Sequence, residues 1–249
     1  MTSPGFDDRR LSFGAAAADY AAHRPTYPLE AVRWVFEAAT RPVREVADVG
    51  AGTGAFTALL AGLGLGVTAF EPDAGMLTQL SADHPQARTV LAHAEHLPID
   101  DGSVDAVTAA QAWHWFDKAA AAAEFVRVVR PGGVIGLLWN VRDDRVPWMD
   151  ALSDLIEGED SMRATRSDAL AEIAAVHPGV ERADFPHRVA MTPEAVVGLV
   201  STFSYVRLRT DADDVYAAVR TLLATHGDTA GRDVVEVPYV CAAYRVART

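Results

Sequence analysis

The chain holds one cysteine, Cys241, and one lysine, Lys118, among 249 residues. A lone cysteine excludes an intrachain disulfide and any cluster of thiolate metal ligands. No stretch approaches the roughly 20 apolar residues that a membrane-crossing helix needs. The opening Met1-Thr2-Ser3-Pro4-Gly5-Phe6 also lacks the apolar run of a secretion signal. A soluble cytoplasmic protein is therefore expected, with no membrane partner. Basic residues are scarce: 22 Lys and Arg face 34 Asp and Glu, a net charge of −12. The arginines are scattered singly apart from Arg9-Arg10, so the chain repels a phosphate backbone and nucleic acid is not an expected partner. No internal repeat or heptad stands out. Half of the residues are hydrophobic, ample for one large core.

From Arg44 to Asn140 short β-branched runs alternate with helical stretches. The runs are 45–49, 66–70, 88–91, 104–108 and 134–138; between them lie helical segments at 54–63, 73–82 and 118–130. That alternation predicts a parallel sheet with helices on both faces. The runs are nearly continuous in apolar residues, as strands buried on both sides should be. Ahead of them, Gly14 to His23 and Pro28 to Ala39 read as helices joined by an extended Arg24–Pro28 segment, because a residue before proline is pushed out of the α region. After Asn140 the alternation ends. Helices are predicted at 147–176, 192–205 and 211–226, and strands at 183–191 and 234–246. Pro186 argues for an edge strand and Pro238 for an interruption of the last one. The expected organisation is one domain: a helical cap over 1–40, a core over 44–140, a lid or substrate region over 141–205, and a final helix and strand over 206–249. With both late strands the sheet has seven members and is mostly parallel.

Val46-Ala47-Asp48-Val49-Gly50-Ala51-Gly52-Thr53-Gly54 leads from a strand directly into a helix. Glycines there permit a sharp turn and a close approach of ligand to main chain. Glu71 ends the next strand 21 positions beyond Gly50, where a carboxylate accepts hydrogen bonds from two ribose hydroxyls. These features are common to nicotinamide and adenosylmethionine sites. No Gly-Lys-Ser/Thr follows, which excludes a P-loop ATPase.

Further segments distinguish the two cofactors. Gly50-Ala51-Gly52-Thr53-Gly54 after Asp48, and Phe70-Glu71-Pro72-Asp73, resemble motifs I and II of class I methyltransferases. Ala94-Glu95-His96-Leu97-Pro98 through Asp105 resembles their adenine-side loop and fourth strand, and Val129-Arg130-Pro131-Gly132-Gly133 the turn into strand five. Asp19-Tyr20-Ala21-Ala22-His23-Arg24-Pro25, Ala112-Trp113-His114-Trp115-Phe116-Asp117 and Leu138-Trp139-Asn140-Val141-Arg142-Asp143 resemble the methyltransferase type 11 group, including trans-aconitate methyltransferase-like proteins. The resemblance spans roughly residues 13–143. His93 departs from it, since many relatives carry a small residue before the Ala-Glu pair. It implies a Rossmann-like α/β fold, S-adenosyl-L-methionine as cofactor, and methyl transfer to oxygen, nitrogen or carbon of a small-molecule acceptor.

On that reading Gly50, Ala51, Gly52, Thr53 and Gly54 hold the amino-acid and ribose portions, and Glu71 takes the ribose hydroxyls. Pro72 and Met76 pack on the adenine, Ala94 and Glu95 meet its edge, and Gln111 and Ala112 lie just beyond strand four. By resemblance, Tyr20 and Arg24 cover the cofactor and neutralise its carboxylate. Trp113 and Trp115, with Phe116, form the floor of the acceptor pocket, and Trp139 and Asn140 face the acceptor, as does Trp148. His114 is the candidate general base, because a neutral imidazole accepts a proton near pH 7; the alternative is a histidine that orders its loop. His84, His93 and His96 aim at no common point, so no metal is expected. His23 and His187 are possible substrate contacts. A non-catalytic adenosylmethionine- or adenosylhomocysteine-binding protein of the same fold is one alternative. A nicotinamide oxidoreductase is another, but it calls for a Tyr-x-x-x-Lys pair, and Lys118 has His114 four positions before it.

Overall fold

A computed structural model describes residues 25–157 and 179–249. Pro28, with φ −68° and ψ 134°, ends the extended entry segment and caps α1 (Leu29–Phe36), which buries Ala31, Val32 and Val35. Then follow β1 (Glu45–Val49), α2 (Ala55–Gly62), β2 (Gly66–Glu71), α3 (Ala74–Asp83), β3 (Arg88–Leu91) and β4 (Val104–Ala110). A single 3-10 turn, Trp113–Trp115, leads into α4 (Lys118–Val128) and β5 (Val129–Arg142). Beyond lie α5 (Pro147–Glu157), β6 (Glu181–Met191), α6 (Pro193–Ser201), α7 (Ser204–Arg207), α8 (Ala212–Thr225) and β7 (Val235–Ala247). Three helix starts carry side-chain caps: Asp73 accepts from the Gly75 and Met76 amides, Asp117 from Ala120 and Thr192 from Ala195.

The seven strands form one sheet in the order β3-β2-β1-β4-β5-β7-β6. The first five run parallel, and β7 is inserted antiparallel between β5 and β6. Neighbouring residues point to opposite faces, and burial follows that rule. Ala47, Val107, Ile135 and Leu137 pack with Phe125 of α4, whereas Val46, Ala106, Val134 and Leu138 pack with α1 and α2 through Val35, Phe56 and Leu60. A third apolar cluster joins α5, α6 and α8 to β7 through Met149, Leu152, Val200, Val219, Leu223 and Val237. Trp148, a candidate acceptor contact, belongs to this cluster at 3% exposure.

Two prolines behave differently. Pro186 lies on β6, the sheet's edge, as its missing donor requires. Pro238 does not interrupt β7. Its carbonyl accepts from the Asp143 amide just past the end of β5 and its absent N–H faces the same way, so the ladder with β5 stops there while the pairing with β6 runs on. Among the described residues no helix is long and apolar enough to cross a membrane.

Candidate functional site

The strand order reverses between β1 and β4, and a crevice opens there at the carboxyl ends of the parallel strands, the usual ligand position in such sheets. A cavity of about 1020 Å³, counted out to its mouth, occupies that place. Its wall includes Gly50, Ala51, Gly52 and Thr53 after β1, Glu71 at the end of β2 with Pro72 and Met76 beyond it, and His93, Ala94 and Glu95 after β3. Ala110 ends β4 and Gln111 and Ala112 follow it, Trp115 and Phe116 come from the 3-10 segment, and Asn140 from β5. Ala55 and Phe56 of α2 complete it with Pro25 and Tyr27 of the entry segment.

The three loop glycines all have positive φ, at 68°, 59° and 93° for Gly50, Gly52 and Gly54, yet each answers a different demand. A Cβ on Gly50 would stand 2.5 Å from the Ala112 Cβ, so this glycine lets the turn close on the segment after β4. A Cβ on Gly54 would meet Leu80 and His84 at 2.8 and 2.7 Å, a packing constraint against α3; Gly54 is not on the cavity wall. A Cβ on Gly52 would find nothing nearer than the Met76 sulfur at 3.8 Å. There the bare backbone keeps the cavity open.

Glu71 is 7% exposed. Its Oε2 accepts from the Gly52 amide at 2.8 Å and its Oε1 from the Asp73 amide at 3.0 Å. Burial pushes its pKa up, the two amides pull it down, and the nearby Asp73 and Asp48 charges push it up further. A carboxylate offers about four acceptor sites; two hold the loop, and the others remain for a ligand. Asp48, 1% exposed beneath α2, accepts from Thr57 Oγ1 at 2.6 Å and Thr108 Oγ1 at 3.3 Å, and burial raises it to about 6.

The loop after β3 is held from behind. Glu124 of α4 accepts from the Leu97 amide, and Arg127 donates to Glu124, Asp101 and the carbonyls of Leu97 and Ile99. The Glu95 carboxylate accepts from the Asp117 amide at 2.8 Å, tying the cavity wall to the start of α4. Gln111 adopts φ 57°, a left-handed backbone that a side chain tolerates only when its surroundings fix it. Its amide donates to the Leu138 carbonyl and its Nε2 to the Asn140 carbonyl at 2.9 Å.

The aromatic cluster divides. Trp115 and Phe116 reach the cavity wall. Trp113 is 1% exposed and packs edge-on against Phe116 at 6.1 Å, in the core. Trp139 packs edge-on against Tyr244 of β7 at 5.5 Å and is not on the wall. The His114 ring lies 4.7 Å from Trp115 and is likewise off the wall. Tyr20, Arg24 and His23 lie outside the described residues. Among the described residues no three His, Cys, Asp or Glu side chains group as metal ligands. Sequence reasoning passed over Pro25, Tyr27, Ala55, Phe56 and Ala110. Ala55 and Phe56 directly follow the glycine loop, a signal that was available; Pro25 and Tyr27 arrive only through the way the entry segment folds.

A methyltransferase-domain family model matches residues 47–137. An uncharacterized methyltransferase of Mycobacterium tuberculosis is 42% identical over 243 residues, covering 96% of each chain. Among solved structures, a protein of Anaeromyxobacter dehalogenans taken to be a type II methyltransferase is similar with a TM-score of 0.64 at 27% identity, covering 90% of this chain and 96% of that one. A phosphoethanolamine N-methyltransferase of Haemonchus contortus, solved with S-adenosylhomocysteine, has the same fold at a TM-score of 0.56 and 12% identity, over 99% of this chain and 60% of that one. With the sheet order, the glycine loop and Glu71 in place, the chain belongs to the class I S-adenosylmethionine-dependent methyltransferases.

Proposed function

We propose that the cavity binds S-adenosyl-L-methionine and that the enzyme passes the methyl group to a small-molecule acceptor, on oxygen, nitrogen or carbon. The observation that carries this is Glu71, a buried wall carboxylate with two acceptor sites left after it has fixed the Gly52 and Asp73 amides. Those sites suit the two hydroxyls of a ribose. Gly52 presents bare main chain beside it, and the α2 N-terminus, at Ala55 and Phe56, favours a negatively charged group such as the methionine carboxylate. Pro72, Met76 and Ala94 offer an apolar seat for adenine, with Glu95 at its edge. The H. contortus enzyme of the same fold was solved with S-adenosylhomocysteine, which favours this occupant.

Gln111, just beyond β4, stands on the wall of the same cavity with Trp115 and Phe116, and these three are assigned to the acceptor. The sulfonium supplies an electrophilic methyl group when bound. The chain's residues orient the acceptor, exclude water and set aromatic faces beside the reacting carbon; orientation at its best is worth about 7–11 kcal/mol of barrier. His114, off the wall, acts here by supporting Trp115. His114→Ala then weakens acceptor binding, read as a higher acceptor KM, with adenosylhomocysteine affinity kept; a loss confined to kcat would restore it as general base.

Calorimetry tests the assignment. Wild type should bind adenosylmethionine and adenosylhomocysteine but not NAD, and Glu71→Gln should weaken both by about tenfold or more, since a hydrogen bond to a charged group is worth about 1.5–3 kcal/mol. Equal binding of NAD, or an indifferent Glu71→Gln, sinks it. A screen of metabolites with labelled methyl donor then finds the acceptor.

A further inference from the structure

Asn140, 8% exposed near the end of β5, joins three segments. Its Nδ2 donates to the Thr26 carbonyl at 3.0 Å. Its own carbonyl accepts from Gln111 Nε2 at 2.9 Å. Its Oδ1 lies 2.9 Å from Nε2 of His187 on β6. These bonds fix one another's direction. The Thr26 carbonyl can only accept, so the Asn140 amide must turn its nitrogen that way and its oxygen toward His187. An amide oxygen also only accepts. His187 must therefore carry its hydrogen on Nε2. The ring is held for this by stacking on Tyr239, 5.7 Å between centroids at 26°. Thr26 lies between Pro25 and Tyr27, which both line the cavity, and Gln111 lines it too.

We infer that His187, which does not line the cavity, is a positioning residue. Its Nε2–H sets the Asn140 amide, and through Thr26 that amide holds Pro25 and Tyr27 across the ligand cavity. The inference rests on reading that cavity as the adenosylmethionine site. Without the donor at 187, the Asn140 amide is oriented by the Thr26 carbonyl alone, and the entry segment's anchor is weakened while the sheet stays intact. Asn140 itself, expected to meet the acceptor, spends its side chain on this anchor.

Two variants separate the donor from the ring. His187→Phe keeps an aromatic ring over Tyr239 and removes the donor; His187→Gln restores a donor on a side chain of similar reach. Adenosylhomocysteine binding by calorimetry should weaken about tenfold in His187→Phe and stay within about twofold of wild type in His187→Gln. A His187→Phe variant that binds as wild type does, or a His187→Gln that loses as much as His187→Phe, overturns the role. Should the Phe variant not fold, long-range nitrogen–proton NMR of the wild type, with the His187 signal assigned by its loss in His187→Gln, reads the tautomer directly. Hydrogen on Nε2 is expected, and hydrogen on Nδ1 alone refutes the inference. The site reading fails separately, through wild type that ignores adenosylhomocysteine or a Glu71→Gln that binds unchanged.

Discussion

At the scale of single residues, the glycine loop divides its work in a way that its spacing conceals. Gly50 and Gly52 share the left-handed backbone, so alanine at either costs about 1–2 kcal/mol in conformational strain. The surroundings then decide what else is lost. A methyl group at position 50 runs into Ala112, whereas one at position 52 enters the cavity. Gly50→Ala is expected to lower the melting temperature severely, by more than the backbone strain alone. Gly52→Ala should melt only a few degrees below wild type but bind adenosylhomocysteine at least tenfold more weakly. Thermal melts paired with calorimetry on the two variants check this; equal damage to stability and affinity in both would refute the division.

At the scale of elements, Asp48 ties three of them together, since β1 carries it, α2 supplies Thr57 and β4 supplies Thr108. Burial raises it from 3.8 to about 6. A carboxyl raised in the folded state lends stability below its unfolded value, and that stability is lost as pH climbs through about 6. Near pH 7.5 the enzyme therefore bears a buried charge costing on the order of 2–3 kcal/mol. Asp48→Asn, which cannot ionise, should melt above wild type at pH 7.5, and the gap should close by pH 4. A variant less stable at every pH would mean the charge is better held than two hydroxyls explain. Much of this framework is legible in the chain: β1 to β4 stand where β-branched runs fall, and Glu71 ends its strand as its spacing requires. What was not legible depends on tertiary placement. β5 begins at Val129 rather than near Val134, because the turn-forming Pro131-Gly132-Gly133 pairs with the end of the chain through Gly132 and Arg248. Trp113 and Trp115 are indistinguishable in sequence, and only the sense of the 3-10 turn sends one into the core and the other to the cavity.

For the molecule as a whole, the helices beyond β5 have an apolar cluster of their own, separate from those flanking the parallel strands. Arg245 of β7 binds the sheet's far edge to α1: it pairs with Glu181 at 2.6 Å, donates to the Trp34 carbonyl and lies 4.0 Å over the Trp34 ring. Stability and binding should thus be separable. Leu223→Ala, 3% exposed in the helical cluster, is expected to cost about 2–4 kcal/mol of stability while leaving adenosylhomocysteine affinity within about twofold. Denaturant unfolding and calorimetry on one preparation test that; a tenfold loss of affinity would mean the helical cluster shapes the cavity directly.

The chain's solitary ε-amino group also has a practical use. Lys118 Nζ donates to the carbonyls of His114 and Phe116, on either side of Trp115. Reductive methylation with isotope-labelled formaldehyde thus writes a single side-chain resonance, distinct from that of the amino terminus. That resonance sits at the cavity's aromatic rim, a native spectroscopic reporter of what enters and leaves.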